Sequence, residues 1–365
     1  MKPAEDDVFF KEETPLDKTG KYIYETANNR IQRAKLIPNP KQLVGSFWKE
    51  GEIMVLFAYT GTGKTAFAMQ IARAISEGKS VFKDDEGNII LLNECSPKKV
   101  LYYDAELSDK QFQNRSSTNY ENEYKYSDLF FMMQVNRFYN LKDDETFSES
   151  IIDSIEDKII NDKIEVVIID NLHCLQEALE NSKDAKPLMD KLVNLKHKHR
   201  ISLMIIGHTP KQHLFQEMGL KDLQGSSAIS VQLDTCIAIG NSVINEQTKY
   251  LKEVKIRDGE YHFGRDNVIT VELYNNDKNL FEMKFICFDK EASHLKDMDS
   301  EELVETVLEL SKEGKSYRDI QNETGVSKSK VGNIIKENQG MDTLSKNNSV
   351  DTKDSMDTQT QLYGT

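Results

Sequence analysis

The run Ala58-Tyr59-Thr60-Gly61-Thr62-Gly63-Lys64-Thr65, continued by Ala66, places two glycines, a lysine and a hydroxyl at the spacing that cradles phosphate. Gly61 and Gly63 let the backbone curl until successive N–H groups point at phosphate oxygens. Lys64 reaches the β- and γ-phosphates, and the Thr65 hydroxyl can ligate Mg²⁺. The apolar run from Ile53 to Phe57 reads as a buried strand, and Phe67, Ile71 and Ile75 share one helical face after the loop. The positive end of that helix lies under the same anion. Ala58 stands at the first position of the motif, where glycine is usual. Alanine costs little there unless the backbone needs φ > 0. Ala58 through Ala66 therefore predict a site for ATP and Mg²⁺.

Other residues could complete phosphate chemistry. Val166-Val167-Ile168-Ile169-Asp170 is an aliphatic run ending in a carboxylate. In a doubly wound sheet ligands sit at the carboxyl ends of strands, so Asp170 would stand beside the loop and, with Thr65, hold Mg²⁺ directly or through water. A turn or helix cap is the structural alternative, and Asn171 could serve the same local role. Glu106, in Leu101-Tyr102-Tyr103-Asp104-Ala105-Glu106, could orient water or take its proton, with Asp104 as the competitor for that role. His208 ends the apolar run Leu203–Gly207, where it could hydrogen-bond the γ-phosphate or serve the structure alone. Lys255 and Arg257 alternate onto one side of a strand before Gly259. They could be a solvated edge that blocks aggregation, or reach a neighbouring subunit's nucleotide.

Apolar strands alternate with amphipathic helices from Leu43 onward. Strands are expected at Ile53–Phe57, Val100–Asp104, Leu129–Val135, Ile164–Asp170 and Leu203–Gly207. Helices fall near Lys64–Glu77, Asp109–Ser116, Ser148–Ile160 and Ala185–His199. The pattern predicts an α/β fold: a mostly parallel sheet with helices on both faces. Val231–Gly240, Tyr250–Arg257, Asn267–Leu273 and Leu280–Phe288 lack long helices between them and predict antiparallel C-terminal strands.

The expected organisation is an N-terminal arm at 1–38, an ATPase domain at 39–290, a linker at 291–300, a small all-α helix-turn-helix module at 301–338 and a disordered tail at 339–365. The tail is rich in Ser, Thr, Asn, Asp and Gln. In the module, Gly325-Val326-Ser327 reads as the turn and Ser327 as the cap of the last helix. Val331, Ile334 and Ile335 would face the module's core. Lys328, Ser329, Lys330 and Asn333 would be free to meet phosphate or base edges of DNA. A protein-docking role for three small helices is the alternative.

The 365 residues carry a formal net charge of -14, so nucleic-acid contact would have to be local. Cys95, Cys174, Cys236 and Cys287 form no CxxC pair and read as reduced thiols, which predicts a cytoplasmic protein. Met1–Lys18 lacks the apolar core of a signal peptide, and no stretch approaches the length of a membrane span.

The order of phosphate loop, Glu106, Asp170, His208 and Lys255-Ile256-Arg257-Asp258-Gly259 resembles the RecA-type ATPases, and more closely the RepA-like and DnaB-like hexameric replicative helicases. Gly225-Ser226-Ser227 adds to that resemblance, which covers roughly Leu43 to Asp289. It implies a RecA-like fold, with Glu106 as catalytic carboxylate and Asp170 on the Mg²⁺ side. His208 becomes a sensor between nucleotide and DNA, and Lys255 and Arg257 act across a subunit interface. It implies a homo-oligomer, a hexamer, with single-stranded DNA in its channel against loops near Gln176–Lys186 and His213–Gln224. Those loops hold Lys183, Lys186, Lys211 and Lys221, but also Glu177, Glu180, Glu217 and Asp222, with Phe215 as the main aromatic. The expected function is an ATP-driven helicase for replication of a plasmid or mobile element, with duplex DNA as a partner of the C-terminal module. An ATP-switched DNA-binding or loading protein that does not translocate is the rival.

Overall fold

The computed structural model describes residues 15–16, 18–136, 147–170, 182–209, 216–223, 230–276, 280–295, 301–324, 326, 328–336 and 338. The chain divides into two units, Met1–Pro40 and Lys41–Thr365. In the first, helix α1 (Ala27–Ala34) starts where the Thr26 hydroxyl accepts the Asn29 N–H at 3.2 Å, and it buries no residue. The segment expected as an N-terminal arm thus contains a short helix.

The second unit opens with a short antiparallel pair, β1 (Gln42–Val44) and β2 (Trp48–Lys49). Strand β3 (Ile53–Ala58) runs straight into helix α2 (Lys64–Glu77). Then follow β4 (Val100–Asp104), α3 (Asp109–Arg115), β5 (Phe130–Gln134), α4 (Phe147–Asp162), β6 (Val166–Asp170), α5 (Ser182–His199) and β7 (Ser202–His208). Four longer strands close the sheet: β8 (Thr235–Asn241), β9 (Thr248–Ile256), β10 (Val268–Asn275) and β11 (Phe281–Asp289). The nine strands lie in the order β11-β10-β9-β8-β3-β7-β6-β4-β5. From β8 to β5 every neighbouring pair is parallel, and β9, β10 and β11 add on antiparallel. This is the mostly parallel sheet with antiparallel C-terminal strands expected from the sequence.

The continuous aliphatic runs follow from burial on both sheet faces. Alternation sends Ile53, Val55 and Phe57 to one face, where α4 and α5 bring Ile155 and Leu192. Met54, Leu56 and Ala58 go to the other, where α2 brings Phe67, Ile71 and Ile75. Helix α2 is also bonded to the sheet's outer strand. The Gln70 side-chain amide donates to Met283 O at 2.9 Å and accepts the Met283 N–H at 3.0 Å, and Arg73 pairs with Glu282.

Asp289–Asp299 reads as a charged break, with the linker set at 291–300. The structure corrects its start. Residues Glu291–His294 form a 3₁₀ turn in which Glu291 and His294 are buried. Glu291 accepts from Tyr250 Oη at 3.0 Å, from the Met218 N–H at 2.9 Å and from Lys252 Nζ at 2.5 Å, so its charge is fully met inside the protein. Beyond it, α6 (Glu301–Lys312), α7 (Tyr317–Thr324) and α8 (residues 328–336) share a core of their own that includes Leu303, Val307 and Ile320. Val331, Ile334 and Ile335 of α8 are buried in it, as their spacing predicts.

Candidate functional site

The loop after β3 is built as its residue types require. Ala58 is the last residue of the strand and takes extended geometry, so the missing glycine costs nothing there. Gly61 and Gly63 have φ of 81° and 93°, a region that L side chains rarely adopt. A Cβ on Gly63 would also stand 2.8 Å from Leu273 Cδ2 of β10, whereas the space beside Gly61 is open. Lys64 Nζ donates to the carbonyls of Ala58 at 3.1 Å and Tyr59 at 2.9 Å, holding the loop curled around a buried ammonium. Burial pulls that ammonium down to about 8, and Asp170 and Glu106 partly oppose the shift.

Strand parity collects the other groups. His208 pairs with Ala58 across β7 and β3, and Asp104 pairs with Asp170 across β4 and β6. All four positions end parallel strands and alternate onto the face covered by α2. Asp170 is 1 % exposed, and it accepts a 2.7 Å hydrogen bond from the Tyr102 hydroxyl and another from Thr65. Asp104 Oδ1 accepts the N–H groups of Glu106 and Leu107, each at 2.9 Å, which fixes the turn carrying Glu106. Glu106 Oε1 lies 3.8 Å from His208 Nε2. An open glycine loop, a buried lysine and a hydroxyl bonded to a buried carboxylate form a donor set suited to a nucleotide triphosphate with Mg²⁺.

Lys255 and Arg257 are placed elsewhere. Strand β9 runs antiparallel to β8, so its end lies at the start of β3. The Arg257 N–H donates to Asp234 O at 2.9 Å, and the Asp234 N–H donates to Ile53 O at 3.0 Å. Arg257 Nη1 also lies 3.2 Å from Asp234 Oδ1. Lys255 Nζ donates to Leu233 O at 2.8 Å and to Ser230 O. The six residues of β3 separate these cations from the loop by about 17 Å at the usual rise per residue. In the module, Lys328, Ser329 and Asn333 are exposed and Lys330 is half-buried.

Several expected positions fall outside the described residues. They are Asn171, Gln176–Asn181, the residues from Pro210 to Phe215, Gly225-Ser226-Ser227, Ser327 and the tail from 339. Residues 182–186, expected in a loop, have helical backbone at the start of α5. Of the second loop, Met218, Asp222 and Leu223 are buried, leaving Glu217 and Lys221 exposed.

Sequence reasoning missed Tyr102 and Asp234. Alternation in Val100–Asp104 puts Tyr102 on the same face as Asp104, and that signal could have found it. Asp234 binds the Ile53 N–H at 2.8 Å and Lys196 Nζ at 2.9 Å, partners too distant in sequence to read.

Burial pushes the Asp170 carboxyl up to about 6 from 3.8. The Tyr102 and Thr65 hydroxyls oppose the shift, and Glu106 and Asp104 add to it. The folded protein therefore holds more protons than the unfolded chain between those values. This contribution to stability is complete below about pH 4 and is lost as pH rises through about 6. In nucleotide-free protein with chelator, it should amount to roughly 2–3 kcal/mol across that window. Melting curves of Asp170→Asn should lack that fall, and a pH slope identical to the parent's would show an unshifted carboxyl.

Residues 26–213, just over half of the chain, match the model of a family described as AAA domain. No curated protein matches the sequence. Among solved structures, a KaiC-like protein of the hyperthermophilic archaeon Pyrococcus horikoshii OT3 is similar at 13% identity with a TM-score of 0.42. That likeness spans 68% of this chain and 99% of the other. The match over residues 26–213 takes in the phosphate loop, Glu106, Asp170 and His208, and by it the chain belongs to the AAA domain family.

Proposed function

We propose that the chain is a Mg²⁺-dependent ATPase that assembles as a hexameric ring, translocates single-stranded DNA and separates duplex in the replication of a plasmid or mobile element. The reading rests on the gathering of Lys64, Thr65, Asp170, Glu106 and His208 at one end of the sheet, with Arg257 at the other. Lys64 and the loop N–H groups hold the phosphates, while Thr65 and Asp170 hold the cation, whose charge offsets that of the phosphoryl group. Glu106 orients water and accepts its proton as the water oxygen bonds to the γ-phosphorus and the bond to the leaving ADP oxygen breaks. His208, beside Glu106, relays loss of the γ-phosphate to the segment that follows β7. Arg257 of a neighbouring copy stabilises the departing charge. A cytoplasmic location suits this role, and no helix among the described residues is long and apolar enough to cross a membrane.

Steady-state ATP hydrolysis with and without single-stranded DNA tests the reading, with Lys64→Ala as blank. Strong stimulation by single strands of any sequence is expected. A low rate unmoved by them would sink the translocase.

The C-terminal module favours the second reading, an ATP-switched DNA-binding or loading protein. Helix α8 carries Lys328, Lys330 and Lys336 and no acid, whereas α6 carries Glu301, Glu302, Glu305 and Glu309 against Lys312. A polarised module of this kind suits duplex DNA laid on α8. Replacing Lys328 and Lys330 together with alanine should lower the slope of log affinity against log salt by about 1.8, the release of two counterions. If DNA binding vanishes entirely, the switch gains. If single-strand stimulation of hydrolysis survives, the motor stands.

A further inference from the structure

Asp104 holds the least explained polar atom near the site. The residue is 2 % exposed, and its Oδ2 is buried without a hydrogen-bond partner among the described residues. A buried acceptor left unmet costs on the order of 1–3 kcal/mol, and more when charged, so such an atom calls for a reason. The Glu106 turn supplies none, because Oδ1 alone accepts both of its N–H groups. The charged groups facing Asp104 are Glu106, Asp170 and Arg115, and Asp170 stands opposite it in the β4–β6 register. Two carboxylates on adjoining strands, turned to one face and deprived of water, repel each other until a positive charge or a strong donor comes between them.

We propose that Asp104 is a positioning residue with two oxygens in two roles: Oδ1 sets the Glu106 turn, and Oδ2 accepts from the water shell of the divalent cation that enters with the nucleotide. The inference rests on the reading of Asp170 and Thr65 as the residues that hold the cation. It adds a physical link, since one rigid carboxylate joins the cation to the turn that carries the water-orienting glutamate. Groups in this outer position typically change metal affinity 10–100-fold.

The test is a titration of Mg²⁺ into the full chain with a fluorescent ATP analogue, read as binding rather than turnover. Asp104→Asn keeps a carbonyl oxygen for the two N–H groups and puts an NH₂ donor where Oδ2 stands. It should raise the Mg²⁺ midpoint of nucleotide binding about tenfold. Affinity for the analogue without Mg²⁺ should stay within twofold. Asp104→Glu keeps a carboxylate but shifts it by one methylene, so it should leave the Mg²⁺ midpoint nearer the parent's while hydrolysis falls with the displaced turn. Melting curves of both variants without ligand verify folding. A parent-like midpoint for a folded Asp104→Asn protein overturns the proposal. If the parent itself binds the analogue without regard to Mg²⁺, the ATPase reading fails first, and the two failures are distinct.

Discussion

Lys64→Ala should reduce ATP hydrolysis by at least about 10²–10³-fold, the usual cost of losing one preorganised charge donor at a reacting group. The argument is more specific than the motif. The ammonium is buried in the nucleotide-free protein and held by the carbonyls of Ala58 and Tyr59. It is therefore already dehydrated and aimed, and little reorganisation is needed when phosphate arrives. Truncation removes one donor from each carbonyl, but Ala58 O keeps the Thr209 N–H at 3.3 Å and Tyr59 O keeps the Thr62 hydroxyl at 2.7 Å. Burial already disfavours the ammonium, so the ligand-free variant should be within about 1 kcal/mol of the parent in stability. Measuring both effects separates them: a variant that melts like the parent but fails to hydrolyse isolates the chemical role. Turnover above a tenth of the parent's in a folded variant would exclude Lys64 from the reaction.

The second large effect is at Arg257. Its own loop is some 17 Å away along β3, so Arg257→Ala should leave nucleotide affinity within about twofold. Turnover should nonetheless fall by about 10³–10⁵ if the guanidinium serves a neighbouring copy's phosphate. Its half-exposed pair with Asp234 contributes at most about 1 kcal/mol to stability, so misfolding would not explain such a loss. Mixing decides the matter. Inactive Arg257→Ala and inactive Lys64→Ala proteins, combined, should regain activity, because some interfaces then join an intact loop to an intact arginine. A mixture that stays inactive, or an Arg257→Ala protein that turns over normally, removes the trans role.

Much of this was legible in the chain. Val100–Asp104 is a strand over the very residues its apolar run marks, because a strand buried on both faces has no polar residue to blur its limits. The gathering of Asp170, His208 and the loop followed from strands that end together and from strict alternation. The same alternation held Tyr102 and Asp104, but their roles depend on cross-strand partners that a single strand does not disclose. Glu291 and His294 fall in the segment expected as linker because charge usually means solvent. Here Tyr250 and Lys252 answer the first, while Ser242 and Thr270 answer the second, and all are remote in sequence. The pair β1–β2 is too short to leave a periodic trace. The start of α5 came earlier than its amphipathic pattern because helix ends carry little burial.

The Gln70 amide on Met283 gives α2 a second duty. Strand β11 is the sheet's outermost strand on that side, nine residues long, with Phe281, Ile286 and Phe288 partly in solvent. A strand of that length and character invites another chain to pair with it. Gln70 takes up the donor and acceptor of Met283, the third residue of that strand, as a neighbouring strand would. The helix that begins at the phosphate loop thus also covers part of the open sheet margin, which ties the shielding of that edge to the element that carries the nucleotide site.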